Sequence, residues 1–378
     1  MKTIVVEALS ALQGGGQTYL KNLFLHYPKY PDTRVIALVP VGFDEELSVS
    51  DSVLIKTSAS ASRGVVQRIL WNKFVLPRLL RKLSANVLYS TGGSLATRAV
   101  GDCRTVVAFR NMLPFSPVDR KRYPRGYMRF RLWLLQYVQS ASFRDADLVI
   151  FISMFAKSVI DLTLNKRRGQ SVVIPHGLSQ HFFNPQPHPA NSSLPQEYVL
   201  YVSILDVYKA QVEVVKAWAE LRLHRPTHEK LLLIGPEYSP YGEEVRKAII
   251  DFGLQEEVMV WGNVPYEELP AYYQHAKVNI FASSCENCPN ILLEALAGGR
   301  PVLCSDYQPM PEFGADAVTY FDPYNPGQLA GALAAMLDDP VRIADMGLRA
   351  QQRAEDFNWE VSARRTWDAL FALANKEN

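Results

Sequence analysis

Two doubly wound α/β domains are what this sequence predicts, on three observations. Short apolar runs recur along the chain, each followed by a turn and a stretch of helical periodicity; that order builds a parallel sheet with crossover helices. With 378 residues the chain is long enough for two such domains. Residues 185–196, PQPHPANSSLPQ, read as a linker rich in Pro, Ser and Asn. The expected domains are 1–190 and 191–358, with 359–378 as a terminal helix.

In the first domain, residues 2–8 (KTIVVEA) read as a strand, Gly14-Gly15-Gly16 as a turn and about 17–26 as a helix. Strand, glycine turn, helix is a phosphate-binding order. GGG lacks the GxGxxG spacing, however, and no P-loop lysine follows, so a plain flexible turn is an equal reading. Strands follow at 33–39 and 52–56. Residues 64–83 are basic and amphipathic, broken by Pro77: Val66, Ile69, Leu70, Phe74 and Leu79 alternate with Arg68, Lys73, Arg78, Arg81 and Lys82. Such a segment suits an anionic membrane surface, or equally a solvated helix packed on the sheet. Strands at 86–89 and 105–109 lead into loops at 90–93 and 110–115. The C-terminal ends of parallel strands are where ligands sit.

Residues 119–144 are the most basic part, with Arg120, Lys121, Arg122, Arg125, Arg129, Arg131 and Arg144 among Tyr123, Tyr127, Phe130, Trp133, Leu134 and Tyr137. Aromatics among arginines can stack bases, sit at a lipid interface or pack as a core helix with one wet face. The lipid interface is the preferred reading, and no nucleic-acid partner is expected. Asp145-Ala146-Asp147 is a DxD triplet, but it precedes the strand at 148–152. It therefore lies at that strand's N-terminal end, away from a ligand edge, and no metal is expected there.

The second domain opens with a strand at 198–203, a loop at 204–209 and a helix near 210–222. LLLIGP at 231–236 and VMVWGNVP at 258–265 are strand–glycine units. A last strand ends at Tyr320-Phe321-Asp322-Pro323, helices follow at about 326–338 and 340–356, and Asn358-Trp359 opens the terminal helix.

The stretch at 278–306, VNIFASSCENCPNILLEALAGGRPVLCSD, organises the rest. Val278 to Phe281 suits a buried strand, and Pro289 suits the first helical position with Asn287 or Cys288 near the cap. Gly298-Gly299 ends the helix, and Pro301 to Cys304 begins the next strand. A helix N-terminus at the mouth of a parallel sheet suits an anion, phosphate above all. Glu286 and Glu294 bracket it. On one continuous helix they would lie about 12 Å apart, beyond the roughly 5–10 Å of a glycoside hydrolase pair. They suit a grip on two parts of one elongated ligand; a cap-region Glu and an ordinary surface Glu are the alternative.

Composition sets outer bounds. Hydrophobic residues at 48% and charged at 21% describe an ordinary globular protein. No apolar run approaches the length of a spanning helix. MKTIVVEALSA has a strand pattern rather than that of a signal peptide, so a cytoplasmic location is expected. The net charge of +2 hides an asymmetry: residues 1–190 carry 25 Lys+Arg against 11 Asp+Glu, and 191–378 carry 15 against 27. The basic half suits something anionic, or the two halves attract each other. The cysteines are Cys103, Cys285, Cys288 and Cys304; Cys285-x2-Cys288 is half a zinc spacing with nothing to complete it.

Glu286-x7-Glu294, followed by Ala295, Gly298-Gly299 and Pro301-Val302, resembles the EX7E signature of the retaining glycosyltransferases of family 4 (glycosyl transferases group 1). The resemblance covers nearly the whole chain, more weakly in the first half. It implies the GT-B fold: two Rossmann-like domains facing across a cleft, with a C-terminal helix crossing back to the first. It implies transfer of a sugar from a nucleotide-diphosphate donor to an acceptor hydroxyl with retention, metal-independent and with no cofactor beyond the co-substrate.

The site residues so implied are Glu286 and Asn111 as catalytic groups. Lys209, Glu286, Asn290, Ile291, Glu294, Gly235 and Val264 would bind the donor, and Gly15 and Gly16 would form the phosphate and acceptor loop. Two departures stand out: Asn111 is nearest where many members carry a His, and Ile204 stands where an Arg is usual. The implied partners are a nucleotide sugar, an acceptor glycan or polyprenyl-diphosphate-linked sugar, as in polysaccharide or O-antigen assembly, and an anionic inner-membrane surface. A sugar-nucleotide 2-epimerase of the same fold and a non-catalytic binding subunit are the rival readings.

Overall fold

The computed structural model describes residues 1–12, 14–47, 52–97, 100–189, 193–226 and 228–376. The chain forms two compact units: Met1–Phe115 with Phe130–Gly177 and Asn358–Asn378, and Ser116–Arg129 with Leu178–Phe357. Residues 190–192, where the linker reading put the domain boundary, lie outside the described residues.

The first unit is built on seven parallel strands: β1 (Lys2–Glu7), β2 (Thr33–Val39), β3 (Val53–Thr57), β4 (Val87–Ser90), β5 (Arg104–Phe109), β6 (Leu148–Phe151) and β7 (Gln170–Val173). Their order is β3-β2-β1-β4-β5-β6-β7, so the strand order reverses between β1 and β4. That reversal opens a crevice at the C-terminal ends of the strands. Alternation divides the apolar side chains between two faces. Ile4, Val6, Tyr89 and Ala108 join the core under the helix Gly15–Leu25, while Val5, Leu88, Leu76 and Leu80 make the core of the opposite face. The helix Trp359–Asn375 closes the first of these cores. Trp367 there is fully buried, its Nε1–H donates to Leu23 O at 2.8 Å, and its ring meets that of Tyr27 edge-on. The terminal helix thus belongs to the first unit, as the fold expectation has it.

The second unit has six parallel strands: β8 (Tyr198–Val202), β9 (Lys230–Ile234), β10 (Val258–Gly262), β11 (Val278–Phe281), β12 (Val302–Ser305) and β13 (Thr319–Phe321). They run in the order β10-β9-β8-β11-β12-β13. Here the reversal lies between β8 and β11, so the loops leaving those two strands flank the expected ligand edge.

Two elements differ from the sequence reading, and a third is broken at Pro77 as the sequence has it. Gly15 and Gly16 are not a loop but the first turn of Gly15–Leu25, and Gly14, at φ +67°, makes the turn into it. The segment at 64–83 is two helices, Val65–Phe74 and Leu76–Lys82, because Pro77 tolerates only a first-turn position. The basic stretch is likewise split into Pro117–Arg122 and Tyr127–Asp145.

Candidate active site

In the second unit the helix Asn290–Ala297 starts one residue later than expected: Pro289 caps it, and Asn290 N–H donates to Cys288 O at 3.0 Å. Gly299, at φ +65°, turns the chain out of the helix, a conformation that favours glycine. Glu286 sits on the loop four residues ahead of the helix, so the two carboxylates do not share one helical axis.

That loop carries a charge pair whose lysine is buried. Lys209 Nζ lies 2.5 Å from Glu286 Oε1, and Ser283 Oγ donates to the same oxygen at 2.7 Å. Lys209 is buried; an ammonium there without a counter-ion would cost several kcal/mol, roughly, in lost hydration. Its position follows from the β8 exit. Asp206 caps the turn by accepting from Val207 N–H at 2.7 Å, and Ala210, at φ +54°, turns the chain into the helix Gln211–His224. Tyr201 O–H holds the Lys209 carbonyl at 2.7 Å.

Glu294 is 6% exposed and accepts hydrogen bonds from Tyr266 O–H at 3.2 Å and Tyr273 O–H at 3.3 Å. Burial pushes its carboxyl up to about 7, against the opposing pull of the two phenols. The remaining expected donor residues lie in the same unit. Gly235, at φ +144°, ends β9 where a Cβ would strike the Ser203 carbonyl. Val264, buried, follows β10, and Asn290 and Ile291 form the first helical turn.

The structure adds residues that sequence reasoning missed. Ser116–Arg129 groups with this unit, and its side chains reach the same loops. Ser284 Oγ donates to Asp119 Oδ1 at 2.6 Å and receives Tyr324 O–H at 2.8 Å. Arg122 lies over the Tyr324 ring, and Tyr123 O–H donates to Asp206 Oδ1 at 2.9 Å. These contacts join residues far apart in sequence, 165 positions for Ser284 and Asp119, and no local pattern announces them.

In the first unit, Gly16 and Asn111 line one cavity of about 270 Å³ with Ser10, Gly92, Gly93 and Arg110. Gly15 lies one residue before that wall, in the same helical turn. Asn111 Oδ1 accepts from Leu113 N–H at 3.1 Å, so its carbonyl is used in an Asx turn. Glu7, at the end of β1, is another buried carboxyl, one the sequence reading did not name as a site residue. Burial lifts it to about 7, opposed by the Leu9 N–H at 3.1 Å and by Arg68.

Other candidates take structural roles. Asp147 accepts from Thr105 N–H at 2.8 Å and from its hydroxyl at 3.1 Å, clipping β5 to β6. Cys285 and Cys288 are buried and form no disulfide with each other, and burial pushes Cys285 well above the usual thiol range. Among the described residues no group of three or more His, Cys, Asp or Glu could hold a metal ion.

Two parallel sheets with helices on them, each with its ligand edge at a strand reversal, define the GT-B class of sugar-transferase folds. Solved structures of that class overlay on the whole chain. Sucrose-phosphate synthase from Thermosynechococcus elongatus matches with a TM-score of 0.78 at 20% identity, covering 98% of this chain and 100% of that one. Anabaena HepE in complex with UDP-glucose matches with a TM-score of 0.74 at 17% identity, covering 98% and 100%.

Residues 184–354 match the family described as Glycosyl transferases group 1, and this segment is a domain of that family. A GDP-mannose-dependent α-(1-6)-phosphatidylinositol monomannoside mannosyltransferase of Mycolicibacterium smegmatis is 30% identical over 58% of this chain and 60% of its own length. O-antigen chain mannosyltransferase B of Escherichia coli is 24% identical over 71% of each. The chain spans 60% of the first of these relatives and 47% of a D-inositol 3-phosphate glycosyltransferase of Streptomyces avermitilis, to which it is 28% identical over 54% of its own length.

Proposed function

We propose that this chain moves a hexose from a nucleotide-diphosphate sugar to an acceptor hydroxyl, with retention at the anomeric carbon and without a metal ion. The observation that supports it most is the Lys209–Glu286 pair, set by the two strand exits at the sheet reversal and followed by a helix N-terminus. A departing diphosphate gathers negative charge as the glycosidic bond breaks. A buried ammonium and a helix dipole aimed at it stabilise that state more than the ground state.

In this reading Lys209 exchanges Glu286 for a phosphate oxygen, and the freed Glu286 accepts from sugar hydroxyls. The first helical turn, Asn290 and Ile291, lies over the diphosphate. Glu294 exchanges its two phenols for the ribose hydroxyls, and the loops at Gly235 and Val264 hold the base. Gly15, Gly16 and Asn111 are assigned to the phosphate and acceptor side of the first unit. The amide of Asn111 is no general base. None is needed if the departing phosphate oxygen takes the acceptor proton on the face it leaves. No arginine stands at Ile204, which leaves Lys209 as the main cation of this edge.

GDP-mannose and UDP-glucose are the donors to try first, because the relatives and the structural neighbour are named for them. A polyprenyl-linked or other glycan acceptor, as in polysaccharide or O-antigen assembly, fits a membrane-facing first unit. Phe143 on the helix Tyr127–Asp145 packs on Phe109 and Phe151, so this helix and Leu76–Lys82 share one face of the first sheet. Their outer sides expose Phe130, Trp133 and Tyr137, and Val66, Ile69, Leu70 and Phe74 on the adjoining Val65–Phe74. Arg131 and Lys73 lie among them. Apolar and basic side chains together suit an anionic lipid surface on the cytoplasmic side. Among the described residues no helix is long and apolar enough to cross a membrane.

Nucleotide release from each donor, with and without EDTA and with a mixed acceptor pool, tests the reading, and NMR of the product reports the anomeric outcome. A new sugar nucleotide instead of transfer would make the protein an epimerase. No turnover with any donor, despite donor binding, would make it a binding subunit.

A further inference from the structure

Arg110 follows β5 directly and forms part of the wall of the first-unit cavity. Its guanidinium lies over the Tyr19 ring, 3.4 Å from the centroid. Its Nε and Nη2 are closed off from water and have no hydrogen-bond partner. Gln139 lines the same cavity at 3% exposure, and its Oε1 is likewise unpartnered. Buried donors and acceptors left unmade are costly and uncommon, and two converging on one cavity point to a ligand that satisfies both. The glycines keep that space open. A Cβ on Gly92 would strike Ser10 Oγ, and one on Gly93, at φ +81°, would sit 2.8 Å from Gln139 Nε2.

We propose that this cavity is an oxyanion subsite. In it the Arg110 guanidinium takes the phosphate or carboxylate of a hydroxylated acceptor, and Gln139 Oε1 accepts from a hydroxyl beside it. A guanidinium presents paired N–H groups that match two oxygens of one oxyanion, which an ammonium does not. Stacking on Tyr19 fixes the plane of that fork. The acceptor is then an acidic or phosphorylated sugar or polyol rather than a neutral one. This inference rests on the transferase reading, whose donor residues lie in the other unit.

Calorimetric titration of the full chain with glucose 6-phosphate, glucuronate and glucose tests it, with UDP and GDP as probes of the donor residues. Saturable binding of either charged sugar, and none of glucose, is expected; which one binds tells phosphate from carboxylate. Arg110→Met should weaken that binding by at least about tenfold and leave nucleotide affinity unchanged. Arg110→Lys should fall between, and Gly93→Ala, which keeps the arginine, should also weaken it by crowding Gln139. The proposal fails if neither charged sugar binds, if Arg110→Met binds as the wild type does, or if it loses nucleotide affinity in the same proportion. Donor hydrolysis by the wild type in the first case would leave the transferase reading standing.

Discussion

Replacing Glu294 with Gln removes a charge from a carboxyl that is 6% exposed and faces two phenols. Burial raises its pKa from the ordinary 4.5 to about 7. In the folded chain the group holds its proton longer than in the unfolded one, so its contribution is full below pH 4.5 and is lost as pH rises through about 7. That difference amounts to about 3 kcal/mol for a group this enclosed. Wild-type stability should therefore fall by that much relative to Glu294→Gln between the two pH limits. If the ionised carboxylate is what accepts the ribose hydroxyls, donor affinity must move the other way. At pH 5.5 only about 3% of the groups would be ionised, so affinity would be up to roughly thirtyfold weaker than at pH 8. The assay is calorimetry with a nucleotide-diphosphate sugar, whose phosphates do not titrate in this range. A wild-type affinity that is flat with pH, or a Glu294→Gln variant that keeps wild-type affinity and pH dependence, would refute the reasoning.

Lys209→Met should lower the rate of donor turnover by about 100- to 1000-fold, the usual loss when one donor to a developing anion is removed; kcat on GDP-mannose or UDP-glucose, in a variant with unchanged circular dichroism, is the check. Trp367→Ala should destabilise the first unit by about 3–5 kcal/mol, since a fully buried indole and its bond to Leu23 O are lost together; urea denaturation measures it. Changing Phe130 and Trp133 to Asp should abolish sedimentation with vesicles of anionic phospholipid while leaving turnover of the donor in solution intact. Sedimentation equal to wild type would remove the exposed aromatic face from the membrane reading.

The parts of this molecule that sequence showed are those set by local chemistry. Val278–Phe281 is an apolar run of strand length, and Gly298-Gly299 stops a helix for reasons internal to the backbone. The glutamates were visible because their spacing is itself a pattern. What the sequence could not show is what depends on partners distant along the chain. Tyr266 and Tyr273 look like ordinary aromatic residues of their own elements until folding brings them to Glu294. Ser116–Arg129 lies within the first half of the sequence, and its contacts with Ser284, Asp206 and Tyr324 show that it packs with the second unit. Arg110 stands one residue before Asn111, and nothing in the local sequence distinguishes it from a solvated arginine after a strand. Its burial over Tyr19, which no spacing rule encodes, is what makes it a candidate.

The Lys209–Glu286 contact also bears on why the proposed transferase would not leave its cation exposed while empty. A lone buried ammonium would either lose its proton or draw the loop open to water. Pairing it with Glu286 keeps the charge, at the cost of occupying the carboxylate that the sugar is to meet. The arrangement is close to neutral in energy by itself, since a buried pair roughly offsets its own desolvation. A diphosphate carries more charge than one carboxylate, so it can take Lys209 and release Glu286 in one step. Phosphate recognition and sugar recognition would then be a single event at the β8 and β11 exits, and a sugar without its diphosphate would find Glu286 already engaged.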